Sequence, residues 1–106
     1  DVVVVVPLEQ AVSRAEYVLN PVTNELRFVD NNGESVFSLS PRHCAILLCL
    51  IHATSPVDVQ DIAREVWRSA EVSSVTVRAE MSRLRKRFPH LVSEAPYRVL
   101  STVHIG

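Results

Sequence analysis

Five of the eleven Lys and Arg residues fall in one short stretch, from Arg78 to Arg87. Guanidinium groups stay protonated and donate several hydrogen bonds in a fixed plane, so they suit anions and electron-rich base edges. Ser73, Ser74 and Thr76 just before it, and Ser82 within it, add hydroxyl groups. Other chemistries have less to stand on. Cys44 and Cys49 lie five residues apart, roughly 140° around a helix, which does not favour a shared metal. His43, His52, His90 and His104 show no metal-ligand spacing. With Gly33 and Gly106 as the only glycines, there is no glycine-rich loop to cradle a phosphate. No Ser/His/Asp or Cys/His set falls on elements expected to converge, and no paired carboxylates line an obvious cleft. The expectation is a protein that is not an enzyme, with no cofactor and no metal.

The basic stretch reads as one helix, about 74–88, with two unlike sides. Val77, Met81, Leu84 and Phe88 recur at i, i+4, i+7 and i+11, an apolar stripe that must face a core. With Val77 at the centre of that side, Val75, Ala79, Ser82, Arg83 and Lys86 fall on the opposite one. Arg78 and Arg85 run along one border. Ser74 and Thr76 sit at the helix start, where free backbone N–H groups favour a phosphate. A helix dipole alone favours cations in the last turn by about 0.3–1 kcal/mol each, so the charges by themselves do not decide a role.

The surrounding elements must place this helix. Tyr17–Leu19, Leu26–Val29 and Ser35–Leu39 read as three short strands, with the Asp30-Asn31-Asn32-Gly33 turn between the last two. Ser40-Pro41 is a helix start, and the apolar run Cys44–Ile51 carries that helix to about Ala53. A second helix begins at Asp58, with Asp61 completing a capping-box-like pair, and buries Ile62, Ala63, Val66 and Trp67. The third helix follows a short loop and ends before Pro89. Leu91–Ser93 and Tyr97–Ser101 read as a closing hairpin around Glu94-Ala95-Pro96. Arg42 and His43, in the first turn of the first helix, read as ordinary surface positions sooner than as contacts to a DNA backbone, and Trp67 as a core residue.

Length and charge fit this order. The 106 residues suit one domain, and 47% hydrophobic content excludes a disordered chain. Net charge is only −1, yet residues 1–71 carry −5 and residues 72–106 carry +4. An acidic body with one electropositive end is the expectation. Two unpaired thiols suit a reducing cytoplasm. No apolar run reaches the roughly 20 residues that span a bilayer, so no membrane partner is expected. Val2–Val6 favours a strand and is too short for a signal-peptide core. Residues 1–16 are read as a linker or the end of a preceding domain, and residues 17–106 as the folded unit.

From Tyr17 to Tyr97 the chain resembles the OmpR/PhoB-type winged helix-turn-helix domains of bacterial response regulators. Leu39-Ser40-Pro41 matches their Leu-[Ser/Thr]-Pro before the first helix, and Val66-Trp67 matches the end of their second. The run from Thr76 to Phe88 matches their third helix over thirteen positions in register. The resemblance implies an α+β fold: an N-terminal antiparallel sheet, three helices and a C-terminal β-hairpin wing. It also implies binding of double-stranded DNA in transcriptional regulation, with helix 74–88 in the major groove. Ser74, Thr76, Arg78, Ser82, Arg83, Arg85, Lys86 and Arg98 are the expected DNA-binding residues, and Arg83 matches a common base or phosphate contact of the family.

The wing departs from that pattern. Where the family has an Arg and two glycines, this chain has Ser93, Glu94, Ala95 and Pro96, which puts a minor-groove contact in doubt and leaves Arg98 as the substitute. The stretch Val75–Arg85 with Ala95-Pro96-Tyr97-Arg98 is also similar to C-terminal domains of actinobacterial regulators with an upstream GAF sensor. The resemblance implies an upstream sensor domain and RNA polymerase at the loop 68–72 as partners, and a second copy on DNA is expected because one domain of this size covers few base pairs. The competing reading is a winged helix used for protein–protein contacts, which the acidic body and arginine-poor wing favour.

Overall fold

A computed structural model of the chain describes residues 16–30, 32–69 and 71–106. The expected Val2–Val6 strand and nearly all of the 1–16 linker lie outside the described residues. Three strands open the fold as an antiparallel meander: β1 Glu16–Asn20, β2 Glu25–Asp30 and β3 Gly33–Ser38. Side chains close both turns. Asn20 Oδ1 accepts from the N–H groups of Val22 and Thr23, and Asn24 takes a positive φ of 57°. Asp30 Oδ1 accepts from Asn32 N at 2.8 Å, and Gly33 supplies the φ of 132° that a Cβ would resist.

Three helical segments follow, and the sequence states why each begins where it does. Helix α1, Pro41–His52, starts behind Ser40, whose Oγ accepts from His43 N at 3.1 Å. Helix α2, Val59–Ile62, starts with a reciprocal capping box between Asp58 and Asp61. It then widens into a π-helical turn, Ala63–Trp67, and ends at Arg68 with a φ of 55°. The expected regular stripe through Val66 and Trp67 is thus re-aimed: Ile62 and Ala63 are buried, whereas Val66 and Trp67 are half-buried. Arg42 lays its guanidinium over the Trp67 ring at 4.4 Å, which covers its exposed side. Helix α3, Ser74–Arg87, is capped by Ser73, whose Oγ accepts from Val75 N.

The C-terminal segment differs from the expected pair of hairpin strands. Pairing is reduced to a Val92–Val99 bridge, supported by Ser93 N donating to Arg98 O and Leu100 N donating to Leu91 O. Tyr97 turns away to pair with Val57, each backbone N–H donating to the other's carbonyl at 2.7 and 2.8 Å. A strand not anticipated from the sequence, β4 Val103–Ile105, joins the sheet parallel to β1. The sheet order is β3-β2-β1-β4. Parallel pairing across more than eighty residues leaves no local signature beyond the branched Val103 and Ile105. One core joins all layers: Leu19 and Leu26 from the sheet, Ile46, Leu47 and Leu50 from α1, Ile62 from α2, and Leu91 and Val92 from the hairpin.

Candidate nucleic-acid interface

Helix α3 presents two opposed surfaces. Val77, Met81 and Leu84 are 0% exposed, and Phe88 packs edge-on against Phe37 of β3 at 5.3 Å. Ser74, Val75, Thr76, Arg78, Ser82, Arg83 and Lys86 face solvent. The periodicity of the sequence therefore places both sides as expected. The expected residues do not all stand alike, however. Among the described residues, Arg78 and Lys86 make no ion pair. Arg85 is half-buried and leans toward the hairpin turn, with Nη2 4.0 Å from Glu94 Oε1 and a buried Nε that meets no partner. Arg98 is exposed on the second arm of the hairpin.

Arg83 stands on the far border of the helix, and it is tethered. Its Nη1 donates to Glu80 Oε2 at 2.5 Å. Glu80 Oε1 lies 2.9 Å from His43 Nε2 on α1. An ionised carboxylate only accepts, so the imidazole nitrogen is the donor. The His43 bond first, and the Arg83 charge as well, hold the Glu80 carboxyl below its ordinary range. His43 is accordingly a contact between α1 and α3, not the free surface position the sequence suggested.

Two side chains join this surface that the sequence reading left out of its site. Val75 is 71% exposed, an apolar side chain at the start of the outer face. Its helical phase, opposite Val77, is the signal that marks it. Gln60 of α2 lines a shallow groove with Asp58, Ser74, Arg78, Ala95 and Pro96, so the starts of α2 and α3 meet the hairpin turn there. The turn itself is organised by Ser93. Its Oγ accepts from Arg98 N at 3.0 Å and lies within hydrogen-bond distance of the Glu94 and Pro96 carbonyls. Where the sequence resemblance leads one to expect a wing arginine, this chain has a serine that stitches its own turn.

No protein-family model matches the chain, and no curated protein sequence matches it. Among solved structures, the DNA-binding domain of E. coli CadC superposes with a TM-score of 0.62. The match covers 77% of this chain and 83% of that one, at 20% identity. The fold is a winged helix-turn-helix. In it, α2 and α3 form the helix-turn-helix and residues 91–99 form the wing, here cut down to a single bridge.

Burial pushes the Cys44 thiol up, and burial with the Glu65 and Asp61 charges does the same for Cys49, which makes both poor nucleophiles at neutral pH. Among the described residues, no His, Cys, Asp and Glu cluster is suited to a metal ion. No helix among them is long and apolar enough to cross a membrane.

Proposed function

We propose that this winged helix reads double-stranded DNA by sequence in transcriptional control, with α3 in the major groove. One observation carries the reading: Ser82, Arg83 and Lys86 face solvent while Val77 and Leu84 are wholly buried. An α-helix fits the major groove, where a guanidinium pairs with guanine O6 and N7 and an apolar side chain meets the thymine methyl. Arg83 and Ser82 are assigned to base edges, and Val75 to a thymine methyl. Arg78, Lys86, Ser74 and Thr76 are assigned to phosphates, with Arg85 and Arg98 on the wing side.

The test is selection from a random pool of duplex oligonucleotides, followed by a salt titration on the recovered duplex. A preferred sequence should emerge, and log affinity should fall against log salt with a slope near −0.9 per phosphate contacted. No enrichment would refute the reading.

A second reading, docking to another protein, is favoured by one observation. Both Arg83 and Arg85 already face carboxylates, and the wing presents Glu94. Salt-insensitive behaviour toward every duplex would support it. The DNA reading carries further proposals. Two copies occupy paired half-sites, because one small domain covers few base pairs. An upstream sensor domain joins through residues 1–16, the turn after α2 meets RNA polymerase, and the protein acts in the cytoplasm.

A further inference from the structure

Three side chains from two helices form a line that runs from a half-buried position between the helices to the outer face. His43 is 13% exposed, Glu80 26% and Arg83 65%. Each Glu80 oxygen has its own partner, His43 Nε2 on one and Arg83 Nη1 on the other. The backbone at the inner end is fixed, since His43 N donates to the Ser40 cap. Elsewhere on the surface, Arg27 and Glu34 make a pair at 3.0 Å, half exposed on both sides. Pairs of that kind hold little geometry, because both side chains remain free to move. Glu80 differs, because it cannot swing without losing its bond to α1.

We infer that Glu80, anchored by His43, is a positioning residue that aims the Arg83 guanidinium at one base pair and so sets sequence preference without itself touching DNA. The inference rests on the DNA-reading function proposed above. An arginine that reads a base gives up rotamer freedom on binding, and a side chain already held in place gives up less. Only one of its five N–H donors is engaged by Glu80, so the others remain for a base edge. The arrangement also has a cost, for a carboxylate near the duplex repels phosphates. Removing Glu80 should therefore act in two opposite directions. Choice at one base pair loosens, while affinity for unrelated DNA holds or rises. A merely structural role would weaken both.

The experiment uses the full chain and the duplex recovered from the random pool, together with its single-base-pair variants. Arg83→Ala identifies the base pair concerned, where discrimination should drop about tenfold. Glu80→Gln and His43→Ala should lose most of that same discrimination, at that base pair and no other. His43→Gln should restore it, because its amide N–H can donate to the carboxylate. The double variant Glu80→Gln/Arg83→Ala should discriminate no worse than Arg83→Ala alone. Full discrimination retained in Glu80→Gln would overturn the inference. So would a loss spread over all base pairs with weaker binding to unrelated duplex, which marks damage to the fold. A pool that yields no preferred sequence would defeat the DNA-reading function and this inference with it.

Discussion

The two borders of α3 each set an arginine beside a glutamate, and they do so in different ways. On the α1 side, Arg83 and Glu80 meet at 2.5 Å, and Glu80 is held from behind by His43. On the wing side, Arg85 and Glu94 are 4.0 Å apart, and Glu94 is 83% exposed at the tip of a turn. The same two residue types thus make a built contact on one flank and a loose approach on the other. Proximity of opposite charges says little about function until burial and a third partner are counted. Under the DNA-reading function proposed above, specificity belongs to the α1 border and general electrostatic effects to the wing border.

The largest effect should come from removing what both borders share. Leu84→Ala should cost about 2–5 kcal/mol in a urea melt, because it opens a cavity behind both arginines at once. Next is the contrast between borders. Arg83→Ala should lose about 1–3 kcal/mol of specific binding and relax preference at one base pair. Arg85→Ala should leave base preference intact, as scored across the same set of duplex variants; an equal loss at one base pair would erase the distinction. A smaller effect separates both from the centre of the face. Lys86→Ala should weaken all sequences alike and reduce the salt slope by about one contact.

The smallest effect is in pH. The Glu80 carboxyl is held below its ordinary value of 4.5, by the His43 hydrogen bond before all else. Its contribution to stability is complete above 4.5 and is lost as pH falls through the lower folded value. Glu80→Gln should therefore flatten the acid limb of a melting-temperature profile below that point. An acid limb identical to the parent's would show that the α1 border holds no tighter than the wing border.

What the sequence revealed and what it hid follow the same line between local and distant contacts. Val77, Met81 and Leu84 announce the buried side of α3 because a helix repeats every few residues. Ser40-Pro41 and the Asp58/Asp61 pair mark helix starts because a cap acts within one turn. His43 and Glu80 lie 37 residues apart, so no spacing rule connects them. The pairing of β4 with β1 joins the two ends of the described chain and was equally invisible. The π-helical turn at Ala63–Trp67 escaped because the same apolar residues suit a regular helix. Phase puts Arg85 on the border, but only the hairpin turn shows which way its side chain leans.

The paired backbone bonds between Tyr97 and Val57 have a mechanical consequence. They clamp the wing to the residue just before the Asp58 cap. The wing is thus braced against the start of the helix-turn-helix, and under the DNA-reading function proposed above a duplex would have to match a preset spacing instead of drawing the wing toward itself.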